Sequence, residues 1–368
     1  MNEARYPQWA YAAALASLPL LTHARLRRLI AHDKPSVVWN MLQEKERPLP
    51  GFKEDTWRVW CNVPQSVLIE TAELCIDSNI IVTTNRDRLY PVVLHADPQA
   101  PAVIFSQGNL EVLHQRRVGV VGTRTATQAG RHFARTLGES LANAEVCVVS
   151  GLARGIDFES HVGVFRATAE QAAPPAAVVA SGLNKVYPPE HHELWRRIAS
   201  EGVLISEAPP NAPAETHRFP LRNRILASLS EVLVVVESRA RGGSMITVRE
   251  AMKRDITVMA VPGAPNVSSC EGTNLLLRDG CAPVLDVEDV FVALGLDTRR
   301  ENRAIETRQM PTADERAVLE VLAGVPRSID EVALLAGCSV VNMAVLLGRL
   351  EAKEWVSHVD GWWEALLH

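Results

Sequence analysis

Between residues 11 and 43 apolar positions recur at helical spacing (Leu15, Leu18, Leu26, Leu29, Ile30, Val38, Leu42), and 57–76 repeats the pattern with no strand signal. The spacing predicts a small helical domain over 1–85. Beyond it the pattern changes to short apolar runs at 118–121, 146–150, 177–181, 203–206, 232–237 and 257–261. Amphipathic stretches such as 126–144 and 244–254 separate them. Unbroken apolar runs are what strands covered on both faces require, so these six read as buried parallel strands. A leading strand at 102–105 joins the same sheet. Strand alternating with helix predicts an α/β fold with a doubly wound sheet over 86–296.

Residues 297–312 are rich in charge and poor in apolar periodicity, as expected of an interdomain linker. The segment 313–368 reads as helices at 315–323, 329–336 and 339–355, with a turn at Gly337 and a short pair around 360–361. That is winged-helix order. Its third helix carries Val340, Val341, Met343, Val345, Leu346 and Leu350, with only Arg349 and Lys353 basic. This suits packing or protein contact better than phosphate neutralisation.

The chain has 368 residues, 47% hydrophobic and 22% charged, enough for a sizeable core in two or three domains. No run approaches the length that spans a bilayer, and the first residues lack a basic, apolar, small-residue leader; the expectation is a cytoplasmic protein without membrane contact. Six cysteines are scattered without paired spacing, which predicts no zinc site and no disulfide framework. No cofactor or metal is expected. The net charge of −5 argues against a positive coat, so any nucleic-acid site must be a local patch.

Chemistry concentrates where predicted strands run into helices. Gly122, Thr123, Arg124 and Thr125 follow the first central strand, where backbone amides can face a phosphate; Gly122 as a simple tight turn is the alternative. Gly119 to Arg124 fails the spacing of a dinucleotide fingerprint, and the next strand ends in Ser150 rather than an acid. That next strand delivers Gly151, Arg154 and Gly155, so Arg124 and Arg154 are expected to approach one another at the carboxyl edge. Asp157 and His161 are either an acid–base pair or a helix cap and its neighbour. The run Phe219-Pro220-Leu221-Arg222-Asn223-Arg224, placed before a strand, offers two guanidiniums, an amide and an aromatic for phosphate and base; the alternative pairs Arg222 and Arg224 with Glu207 and Glu237. Gly242, Gly243 and Ser244 form a second candidate cradle at a helix start. Arg25, Arg27 and Arg28 cluster on a predicted N-terminal helix and read first as a solvated face.

The stretches GTRTATQAG, SGLARGIDFESH, ASGLNKVYP, ISEAPP, FPLRNRI, RGGSMIT, AVPGAPN and EGTNLLLRDG, in this order, resemble the successive motifs of the DprA/Smf family. The likeness is strong over 91–289, weaker through the helical N-terminus, and resumes near 314. It implies an extended Rossmann-like domain that binds single-stranded DNA by its backbone, a helical N-terminal domain of the SAM or helix-hairpin-helix kind, a homodimer, and loading of the RecA recombinase during natural transformation, without catalysis. By motif, Arg124 matches the phosphate-gripping arginine beside Gly122, Thr123 and Thr125. Gly151, Arg154 and Gly155 lie in the adjoining loop, and Arg222, Asn223 and Arg224 form the rim, with Gly243, Ser244 and Lys185 nearby. Many relatives carry a lysine after the Tyr-Pro of the third motif; here Tyr187-Pro188 is followed by Pro189-Glu190, and Lys185 stands before it. The resemblance therefore implies a weaker or rearranged grip. The family's dimer helix resembles 273–285, where Leu275, Leu276 and Leu277 are either a contiguous apolar patch or core. A rival reading is a nucleotide-phosphate hydrolase of the lysine decarboxylase-like group, from Gly242-Gly243 and Thr247 to Glu250, although that spacing is one residue too long.

Overall fold

The structure is a computed structural model that describes residues 6–296, 311–322, 326–353, 355–359 and 361–365, and it divides into two units, 1–296 and 297–368. The expected linker lies almost wholly outside the described residues.

The first unit opens with five helices: α1 (Gln8–Ala16), α2 (His23–His32), α3 (Pro35–Gln43), α4 (Glu54–Cys61) and α5 (Ser66–Asp77). Then come β1 (Ile81–Thr84), β2 (Val103–Gly108), β3 (Arg116–Val121), α6 (Gln128–Asn143), β4 (Val146–Ser150), α7 (Ile156–Val164), β5 (Ala176–Val178), α8 (His192–Glu201) and β6 (Val203–Ser206). The unit closes with α9 (Arg218–Leu229), β7 (Val232–Val235), α10 (Ser244–Met252), β8 (Thr257–Ala260), α11 (Glu271–Arg278), β9 (Ala282–Pro283) and α12 (Val287–Ala293).

The nine strands form one sheet in the order β1-β2-β6-β5-β4-β3-β7-β8-β9, parallel from β6 to β9, with β1 and β2 added antiparallel at one edge. The fold is α/β with a doubly wound, Rossmann-like sheet. Val118 and Val120 of β3, Val146 and Val148 of β4, and Val232 and Val234 of β7 pack on α6 and α12. On the opposite face Val149, Val178, Ile205 and Val235 meet Ile225, Leu229, Val248 and Ala251 of α9 and α10. Two covered faces explain why every residue of β4 and β7 is buried.

The segment read as a separate helical domain contains a strand, β1, and its helices share one core with the sheet. Leu15, Leu29, Trp39 and Leu68 belong to the same apolar cluster as Val103, Phe105, Ala177 and Leu204. Two further segments take definite form. The run from Phe219 to Arg224 is helical, the opening of α9, with Pro220 in its first turn, where an amide has no intrahelical acceptor to lose. Leu276 is buried in the core with Leu277 packed partly buried against it, so Leu275, Leu276 and Leu277 do not make a contiguous exposed patch.

In the second unit α13 (Ala313–Leu322), β10 (Arg327–Ser328), α14 (Ile329–Ala336), α15 (Val340–Ala352), β11 (Val356–Val359) and β12 (Trp362–Ala365) give three helices and a three-stranded sheet ordered β10-β12-β11, a winged-helix arrangement. Ser328 and Glu331 form a capping box at the start of α14, and Gly337 ends that helix in the left-handed conformation. Val318, Leu322, Val332, Met343, Leu347 and Leu350 make its core. No single helix among the described residues is long and apolar enough to cross a membrane.

Candidate functional site

Strand order reverses at β3, which has β4 on one side and β7 on the other. At such a switch point the loops leaving the carboxyl ends diverge and open a crevice. Here the crevice is a cavity of about 410 Å³ lined by Gly122, Thr123, Arg124 and Thr125 after β3, Ala153 and Asp157 after β4, Phe219, Arg222 and Asn223 of α9, and Arg239, Gly242, Gly243, Ser244, Ile246 and Thr247 around the start of α10.

Buried Glu237, just past β7, fixes the β3 loop. Its carboxylate accepts from the Thr127 amide at 3.0 Å and the Thr127 hydroxyl at 2.5 Å, while its carbonyl accepts from the Thr123 amide at 2.7 Å. Thr127 in turn caps α6 through the Gly130 amide at 3.0 Å. Glu237 is thus committed to Thr127 and does not pair with Arg222 or Arg224. Gly155 holds φ at +77°, and a Cβ there would stand 2.3 Å from the Thr123 carbonyl oxygen. Gly151 has a different reason: a Cβ would lie 1.4 Å from Arg222 Nη1. These two glycines lie behind the cavity and shape it, and neither lines it.

Arg222 is 7% exposed, and the one carboxylate near it among the described residues is Asp157, at 3.9 Å. Its Nε is buried without a hydrogen-bond partner. Burial pulls the guanidinium below its ordinary pKa, and Asp157 opposes that pull. The Asp157 carboxyl is pushed above its ordinary range chiefly by burial, against Arg222 and the amides of Ala153 and Gly151. Arg124 is exposed, its guanidinium carbon 5.0 Å from the centroid of the Phe219 ring. Tyr187 extends this aromatic edge, 5.7 Å from Phe219. Three arginines against one aspartate leave the lining with surplus positive charge. At the start of α10, Ser244 Oγ donates to Ser238 Oγ at 2.7 Å, and a Cβ on Gly243 would meet nothing within 4 Å, so this turn is open toward the cavity.

Other expected members lie elsewhere. Arg154 is exposed and paired with Glu190, the residue that follows the Tyr187-Pro188-Pro189 departure, and is not among the residues that line the cavity. Lys185 is exposed outside the cavity. Arg224 faces away from it: its guanidinium donates to Glu207 at 2.5 Å and to the Gln99 carbonyl at 2.6 Å, with His23 Nδ1 at 3.0 Å. Helical geometry accounts for the divergence, because side chains two apart do not share a helix face. His161 is fully buried, both ring nitrogens unpartnered, its pKa pushed down to about 3 by burial, so it does not work with Asp157 as an acid–base pair. Phe219 and Arg239 line the site although the family motifs do not single them out; their signal was an aromatic beside a basic run and a second arginine ahead of Gly242-Gly243.

A family profile described as DNA recombination-mediator protein A matches residues 81–295. Protein Smf of Escherichia coli is 32% identical over 288 residues, covering 74% of each chain. A putative DNA processing protein DprA of Mycobacterium tuberculosis is 35% identical over 276 residues, 73% of this chain and 69% of that one. The match to Protein Smf of Synechocystis spans 62% of that relative's length. Among solved structures, DNA processing protein A of Streptococcus pneumoniae has the same fold, with a TM-score of 0.64 and 24% identity over 78% of this chain and 98% of that one. The matched span contains β1 through α12, and with them every loop of the cavity: this chain belongs to the DNA recombination-mediator protein A family, also called DprA or Smf.

Proposed function

We propose that the cavity grips consecutive backbone phosphates of single-stranded DNA, and that the protein acts by holding a strand rather than by catalysis. The observation that carries this reading is Arg222, a buried cation with one carboxylate at 3.9 Å and an unpartnered Nε. A buried charge so incompletely compensated is stabilised by a second anion, and a phosphate oxygen supplies one. Arg124, Arg239 and the turn that opens α10 surround the same space. Phe219 offers a face for a base beside the phosphates. Contacts of this kind leave base edges free, so binding is steep in salt and blind to sequence.

The related fold of DNA processing protein A from Helicobacter pylori, whose structure is described in terms of its single-stranded DNA binding mode, supports the choice of ligand. On the family resemblance the reading extends to a homodimer that protects the strand and loads RecA recombinase in natural transformation. The hydrolase reading rested on the segment from Thr247 to Glu250 supplying a carboxylate to the cavity. Glu250 is outside the lining, its carboxylate held by Lys253 and Arg254 at 2.7 Å each.

Fluorescence anisotropy of a labelled single-stranded oligonucleotide across a salt series tests the proposal. Arg124→Ala weakens binding and flattens the salt slope, while Glu250→Ala leaves both unchanged. Equal binding by both variants and the wild type would overturn it.

A further inference from the structure

A second basic concavity lies on the other side of α9. It measures about 540 Å³ and is lined by His23, Ala24, Arg27, Arg28 and Ala31 of α2, by Gln99, and by Leu221 and Arg224 of α9. On α2 the residues Leu26, Leu29 and Ile30 are buried, so Ala24, Arg27, Arg28 and Ala31, at i, i+3, i+4 and i+7, form the outward stripe. Two short alanines flank two long arginines. This makes a trough with cations along its floor rather than a crowded face.

How those cations are held decides what the trough suits. Arg27 donates to the carbonyl of Pro98, and Arg28 donates to that of Gly51 at 3.0 Å. Neighbouring Arg25 and Arg86 do the same with the carbonyls of Leu20 and Ala31. No carboxylate pairs with any of these four among the described residues. Carbonyl tethers orient a guanidinium without neutralising it. Gly51 is part of the arrangement, since a Cβ there would stand 2.6 Å from Arg28 Nη1. Deeper in the trough the Arg224 side chain is only 6% exposed, and its Nε is buried without a partner; His23 Nε2 is likewise buried and unpartnered. Glu207 is the acid of this cluster, bound by both His23 and Arg224.

From these contacts we infer that the trough on α2 is a second phosphate-binding site, occupied by the same nucleic-acid strand after it leaves the switch-point cavity and passes the amino end of α9. Phe219, Arg222 and Asn223 of α9 face the first site, and Leu221 and Arg224 face the second, so one helix start separates the two. His217 is exposed and Arg218 half-buried at that start, both beside Glu215. A polyanion is the ligand this spacing fits, because a chain of phosphates meets both sites at once and gains avidity from the second without any new base contact. The inference rests on the proposed phosphate grip of the first cavity.

The test compares oligothymidylates of about 5 and about 20 nucleotides, the shorter able to fill one site and the longer both. The variant is Arg27→Glu with Arg28→Glu in the full chain, its folding checked by circular dichroism; both side chains are exposed, so the core is untouched. Expected is unchanged binding of the short strand and about tenfold weaker binding of the long one, with a log–log salt slope shallower by about 1.4 for two lost phosphate contacts. Equal binding of the long strand by variant and wild type overturns the second site, as does an equal loss for both lengths, which marks a general field effect. Arg124→Ala run in parallel weakens both lengths. If it changes neither, the failure belongs to the first cavity and not to the trough.

Discussion

The sheet-edge cavity and the third helix of the C-terminal unit offer an instructive contrast. Each presents a helix start and basic side chains in an architecture that often meets nucleic acid. In the cavity Arg222 is buried beside one carboxylate at 3.9 Å, and Arg124 is stacked near Phe219 rather than ion-paired. On α15 the exposed side chains include Val340, Val341 and Val345 around a single exposed cation, Arg349, and Lys353 at its end is taken by Glu315 at 2.7 Å. That contact holds the Glu315 carboxyl below its ordinary pKa. A cation already matched by an acid has little left to offer a phosphate; what distinguishes the cavity is that three arginines converge on one lining against a single aspartate.

The largest expected effect tests that contrast directly. Arg124→Ala combined with Arg222→Met weakens single-strand binding at least about a hundredfold, since each charge-assisted contact contributes about 1.5–3 kcal/mol. Lys353→Met measured alongside leaves binding unchanged. If the pair of substitutions shifts affinity less than the lysine does, the contrast is wrong.

Asp157 sharpens it next. Its folded pKa is raised, so the stability it contributes is complete below its unfolded pKa and is lost as pH rises through the folded one. Over the same rise a negative charge appears beside Arg222 and DNA affinity falls. Asp157→Asn tightens binding about fivefold at neutral pH and removes this pH dependence from an anisotropy titration. A variant that binds more weakly would mean that the carboxylate helps to hold the ligand.

Smaller is the effect of freeing Arg154. Glu190→Ala breaks an exposed ion pair and removes a negative charge near the rim, giving about threefold tighter binding and a steeper salt slope by the same assay. The smallest is Val341→Asp on the exposed side of α15: oligonucleotide affinity stays constant, and thermal unfolding of the protein shifts stability by no more than about 0.5 kcal/mol.

Much of the first unit was legible because its chemistry is local. The valine runs of β3, β4 and β7 announce strands buried on both faces, and glycine-rich turns at their carboxyl ends mark the crevice. β1 was not legible, since four residues following a helix at a sheet edge carry no periodicity of their own. β9 is two residues long and includes Pro283. The helix α9 was not named from the sequence, where its opening residues were placed only as a run before a strand, because Pro220 and polar residues obscure its periodicity.

The sequence by itself determined the alternation of the central strands with helices, the family, and the glycine-rich loops that follow those strands, because these follow from spacing, glycine and chain order. Only the tertiary structure decided which arginines keep their charge. Arg222 and Arg224 are two residues apart, yet about 100° of rotation per residue sends them to opposite sides of α9. Arg224 meets Glu207 beyond the end of β6, and Arg222 meets the more distant Asp157 of α7. Which acid stands opposite a helix face is set by how the sheet brings remote segments together, and no local pattern encodes it.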